Sequence, residues 1–231
     1  MTTNLRIALT VLAVGFAIEG SGEAYSLLSR GSFLPGTSLL FLLPALVTVL
    51  GLLFILIGRH EWDELHSARV RRANLIFGLS VATVFVAALE VALLSYYPNL
   101  GSPLWAEILF GAMTGAFVFG TFVTYAHLVF HLVSRPSKAV LIASTVWALI
   151  VSGLVGLALA RDLPTLLSLI AARSLSFESL IAPVDYLASF LFLSYFLLLI
   201  AYLDAHMTVV RGPPTRAAVA PPAAPPAAPR A

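Results

Sequence analysis

Long runs of apolar residues separated by short polar connections dominate the chain. They occupy about 5–27, 38–58, 73–97, 104–133, 138–160 and 184–209, each bounded by charge, proline or glycine. Each run holds about the 20 apolar residues that a helix needs to cross the hydrocarbon of a bilayer. The pattern predicts an all-α, polytopic membrane protein of about six transmembrane helices filling residues 1–210. The first run follows Arg6 as a signal peptide would. Glu19 and Glu23 interrupt it, however, and a second span follows at once, so it is read as a helix that stays.

Three connections have their own character. The segment from Arg59 to Arg72, RHEWDELHSARVRR, is dense in charge and is expected to extend the second or third helix beyond the membrane. After Arg161 and Asp162, the residues Leu163, Leu166, Leu167 and Ile170 repeat at i, i+3, i+4 and i+7. That spacing predicts a short helix lying in the outer interface. From 211 to 231 the composition shifts to proline and alanine, which cannot bury a core; a disordered cytoplasmic tail is expected there.

Composition sharpens this picture. The chain is 60% apolar and 10% charged, against about 45–50% and about 25% in soluble domains, which excludes a water-soluble fold. The absence of cysteine removes disulfides, thiolate metal sites, iron–sulfur clusters and thiol catalysis. The net charge of +2 follows topology rather than a nucleic-acid partner. With both termini cytoplasmic, all but Arg30, Arg161 and Arg173 of the 13 basic residues face the cytoplasm, as the positive-inside bias requires. Tyr25, Tyr96, Tyr97, Trp105 and Tyr186 then fall at the outer boundaries, where amphipathic rings prefer to lie. The expected partner is the lipid bilayer. Homo-oligomers and partner membrane subunits stay open.

Ionisable groups inside apolar spans are the candidate chemistry, because a charge in hydrocarbon is costly unless it is used. Counted from the cytoplasmic ends, Glu19, Glu23 and Glu90 lie in the outer half, and Glu107 and Asp185 open the fourth and sixth spans. No Lys or Arg lies within the spans beside them. Glu19 and Glu23, one turn apart, share a face. Glu107, Gly111 and Gly115 make a stripe suited to close helix packing. Glu19, Glu23, Glu90 and Glu107 are therefore candidates for an outward-opening proton or cation site, with Glu19 and Glu90 expected at similar depth. The competing reading is that Glu107 and Asp185 are wetted at the interface and that Glu107 serves its helix N-terminus.

The inner half carries the histidines. His127 and His131 stand at i, i+4, which presents two imidazoles on one helix face as metal sites require. His206 lies at a similar depth and completes a candidate metal set of His127, His131 and His206; His60, Glu61, Glu64, His66 and Asp204 are further potential ligands. The competing reading is a pair of interfacial histidines bonded to neighbouring helices. Two histidines on one helix cannot ligate opposite faces of one haem iron, and membrane di-iron hydroxylases need more histidines than the five here. No metal or other cofactor is expected. Gly20-Ser21-Gly22 lacks the preceding glycine of a rhomboid-type serine motif, and no phosphate-binding or dinucleotide fingerprint occurs, so no catalytic residue is assigned.

Three function classes follow: a small transporter or channel for protons, cations or a small solute, acting through the outer-half carboxylates; an accessory subunit of a larger membrane complex; and a membrane enzyme acting on lipid with the inner histidines. They are ranked in that order.

Overall fold

A computed structural model describes residues 2–28, 38–97, 102–174 and 186–212. Those residues form six helices and no strand: α1 (Thr3–Leu28), α2 (Ser38–Ile57), α3 (Glu64–Tyr96), α4 (Leu104–Val129), α5 (Arg135–Ala171) and α6 (Phe192–Arg211). A 3-10 turn, Gly58–His60, follows α2, and another, Ser189–Leu191, leads into α6. Five segments, α1, α3, α4, α5 and Tyr186–Arg211, are long and apolar enough to cross a membrane. The 20-residue α2 has no charged residue along its length. By length and composition, these are the helices of a multi-pass membrane protein. Asp185 and the tail from 213 onward lie outside the described residues.

Packing follows an open series, α2–α1–α6–α5–α4–α3; α2 and α3, although consecutive in sequence, are not neighbours in it among the described residues. Glycine sets the tightest seams. A Cβ at Gly111 would collide with the Gly156 carbonyl, one at Gly115 with that of Ser152, and one at Gly120 with the Ser80 hydroxyl. This is the close backbone approach that small-xxx-small surfaces allow in lipid. The main core joins α1, α4, α5 and α6 around Phe16, Tyr125, Leu198 and Tyr202; a smaller cluster joins Ala87, Leu94, Ala106, Phe110 and Leu163 in the half of the bundle away from the α1 start, termed the outer half as a label, with the α1-start end termed inner.

One boundary meets expectation and one differs. The charged segment does extend a helix: Asp63 caps α3 by accepting the His66 N–H at 2.6 Å, so the helix starts at Glu64. The short interfacial helix is overturned, because α5 runs unbroken through Pro164 to Ala171. Its 37 residues span about 55 Å at 1.5 Å per residue. The apolar stripe was read with the right period and the wrong partner. Leu163 is fully buried, and Leu166 and Leu167 pack against the α3–α4 cluster rather than into lipid headgroups. That burial offsets the hydrogen bond forgone at Pro164.

Hydrogen bonds at one end of the bundle tie helix termini together. Glu61 accepts from the Leu5 N–H at 3.0 Å and from the Asn4 side-chain amide, capping α1. Arg6 donates to the carbonyls of Val209 and Val210, each at 3.4 Å, closing α6. Asp204 accepts from the Ser134 N–H at 2.7 Å, at the start of α5. The α1 start and the α6 end therefore share one face of the bundle. Tyr25, Tyr96, Tyr97, Trp105 and Tyr186 are all exposed, and they lie at the opposite helix ends.

Candidate functional site

Four carboxylates were singled out, and the helices carry them to different surroundings. Glu19 is half-buried on α1, with the phenols of Tyr125 and Tyr195 in its electrostatic field; Glu23, one turn on, also reaches Tyr195. The shared face of these two acids is thus present. Around them Phe16 meets Tyr125 at 5.0 Å and Tyr202 at 4.9 Å between ring centroids, and Phe122 meets Tyr195 at 5.0 Å. The Tyr202 hydroxyl donates to the Tyr125 carbonyl at 3.0 Å. Residue spacing could have disclosed this tyrosine nest, since Tyr195 and Tyr202 stand seven apart on one face of α6.

Glu90 has a different setting. It is 7% exposed, it lies on the α3 face that carries Ala87 and Leu94 into the outer cluster, and both carboxyl oxygens are buried with no hydrogen-bond partner among the described residues. It does not meet Glu19. Ser80 stands opposite Gly120, and Glu90 lies ten residues beyond Ser80, about 15 Å further toward the outer end. The rings around Glu19 belong to Phe122 and Tyr125, on the inner side of Gly120, and α1 does not pack on α3. Counting residues along each span predicts a similar depth for the two. The count fails because α3 starts at Glu64, beside the α1 start that Glu61 caps, so Glu90 lies ten residues further along its helix than Glu19 does along α1.

Glu107 is used locally. It sits in the first turn of α4, half-buried, and accepts from the Ser102 hydroxyl at 3.2 Å, a position favoured by the helix dipole. The Gly111–Gly115 stripe below it faces α5. Beside that seam is a groove of about 470 Å³ lined by Gly111, Ala112, Gly115, Ser152, Gly153 and Gly156 among others, with no titratable side chain in its wall.

At the inner end the histidines regroup. His131 Nε2 lies 3.1 Å from His66 Nδ1, with ring centroids 5.0 Å apart, so one imidazole can donate to the other in a direction set by tautomer. His66 is wholly buried. The remaining nitrogens, His66 Nε2 and His131 Nδ1, are buried without a partner among the described residues, as is Nε2 of His127 one turn earlier on α4. Arg69 and Lys138 both lie over the Phe130 ring, at 5.7 and 5.5 Å. Burial, then the neighbouring His66 and Arg69, push the His131 imidazole down to about 3 from its usual 6.5.

His206 does not join this group. Its Nδ1 is 3.3 Å from the Thr10 hydroxyl, which itself donates to the Arg6 carbonyl. Among the described residues, no three His, Cys, Asp or Glu side chains are arranged to hold a metal ion. His66 was legible only as one of several polar residues in a charged loop. The missed signal was Asp63, an N-cap that fixes the start of α3 and puts His66 on the helix facing α4.

No known protein family matches the chain, and neither a curated protein nor a solved structure similar to it was found.

Proposed function

We propose that this chain is a small proton- or cation-translocating membrane protein, with both termini cytoplasmic, in which Glu90 takes up and releases the transported ion. The observation that carries the reading is the isolation of Glu90: a spanning-helix carboxyl, 7% exposed, whose two oxygens have no partner among the described residues. A carboxylate in apolar surroundings must be neutralised by a proton or a cation. The Glu90 oxygens offer that position, and among the described residues no basic side chain bonds them. Glu19, with its tyrosine neighbours, is a second polar position about 15 Å further in, nearer the inner end.

Reconstitution tests this directly. Proteoliposomes holding the purified chain should show pH-driven or cation-driven flux that empty liposomes lack. Glu90→Gln, nearly isosteric with the protonated acid, should remove the flux while leaving expression and folding intact. Absence of flux in the native protein under any gradient would transfer the reading to an accessory subunit whose acids only join helices.

A further inference from the structure

The translocation reading leaves one group of titratable side chains unused: the imidazoles at the inner end. We infer that His66 and His131 form a second proton-handling site, a relay that passes a proton between the membrane interior and the inner surface of the bundle. The inference rests on the proton form of the translocation reading and names the inner station of the same path.

The geometry is that of a relay. Nδ1 of His66 and Nε2 of His131 face each other at 3.1 Å, close enough for one ring to donate to the other. Each ring then has one nitrogen left, His66 Nε2 and His131 Nδ1, and both are buried without a partner among the described residues. In one tautomer His66 donates across the pair, so His66 Nε2 carries a lone pair and His131 Nδ1 carries a proton. A proton arriving at His66 Nε2 lets the shared proton move to His131 Nε2, and the proton on His131 Nδ1 leaves. One N–H bond has formed at each ring and one has broken at each. The pair ends neutral, in the opposite tautomer, with His131 now the donor. Rotation of the two rings, which exchanges the places of their nitrogens, resets the pair for the next proton without carrying one back.

The surroundings favour a neutral pair. On α3, Arg69 adds positive charge, and the Asp63 carboxylate, which would attract a proton, is engaged by the His66 backbone N–H at 2.6 Å. On α4, His127 stands one turn inward of His131 toward the membrane, with its own Nε2 buried and unpartnered among the described residues. Arg69 and Arg72 both lie in the field of His127, and Lys138 of α5 lies over the adjacent Phe130 ring. A pair lodged as imidazolium would trap the proton. A pair held neutral passes it on.

The test compares native protein, Glu90→Gln, His66→Gln and His131→Gln in proteoliposomes loaded with a pH-sensitive dye. Glutamine retains hydrogen bonding but cannot relay a proton. The expected result is at least a tenfold loss of proton flux in each histidine variant, with partial rescue by millimolar imidazole, which would not repair a merely structural defect. Loss of flux in Glu90→Gln alone, with native rates in both histidine variants, would overturn the relay and leave the translocation reading standing. No proton flux in the native protein would sink both. Should the variants fail to fold, nitrogen-15 spectra of histidine-labelled native protein decide the matter. The relay predicts two coupled, neutral imidazoles with a strongly deshielded shared proton at pH 6. Two imidazoles titrating independently near pH 6.5 would contradict it.

Discussion

The inner end of the bundle and its outer half treat ionisable side chains in opposite ways. At the inner end, Glu61 caps α1, Asp63 caps α3, Asp204 meets the start of α5 and Arg6 closes α6. These four charged side chains serve helix termini whose backbone groups would otherwise lack partners. In the outer half, cohesion comes from backbone approach at Gly111, Gly115 and Gly156, and Glu90 contributes no hydrogen bond to it among the described residues. Charge in this chain is therefore no guide to function by itself. The groups that stand apart are those the helix ends do not use: Glu90 outside, and the His66–His131 pair with His127 inside.

Substitutions can break this contrast, beginning with the largest effect. Gly156→Leu inserts a side chain where even a Cβ meets the Gly111 carbonyl. It should separate α4 from α5 and cost about 3 kcal/mol or more, seen as loss of the monodisperse peak in detergent chromatography. Glu61→Ala removes both acceptors at the α1 start. A cost of about 2 kcal/mol is expected, measured as a lower Tm. A Tm unchanged by this substitution would show that the inner hydrogen bonds contribute little.

Acidification probes the histidines. His131 is held at about 3 when folded and returns to about 6.5 when unfolded, so below pH 6.5 the unfolded chain binds a proton that the folded chain refuses. Stability contributed by the neutral ring is complete above pH 6.5 and declines as pH falls toward 3. The native Tm should drop by a few degrees between pH 7 and pH 5, and His131→Gln should flatten that part of the profile. The smallest effect is expected at Glu90→Leu. With no partner among the described residues to abandon, the substitution should leave stability within about 1 kcal/mol of native. A loss well beyond that would show that Glu90 bonds the bundle together.

The sequence disclosed the architecture more fully than the site. Six apolar runs of spanning length leave little alternative to six helices, and the five aromatic residues assigned to one boundary are exposed at one end of the bundle. What it could not disclose was azimuth and relative height. His206 matched His127 in estimated depth, yet it faces Thr10 on α1, because depth does not say which neighbour a helix face meets. The Arg161–Asp162–Pro164 cluster looked like a helix end. The chain continues because Leu163, Leu166 and Leu167 find apolar partners on α3 and α4, which no local signal reports. Glu19 and Glu90 were misaligned for a similar reason, since the heights at which α1 and α3 begin are set by contacts between helices.

The central claim is that Glu90 carries the ion. Its most direct test is the initial rate of proton or cation entry into proteoliposomes at a fixed gradient, with membrane potential clamped, for native protein and Glu90→Gln reconstituted at equal density. The account predicts that Glu90→Gln falls to the rate of empty liposomes while its Tm stays at the native value. A Glu90→Gln rate equal to native would contradict it.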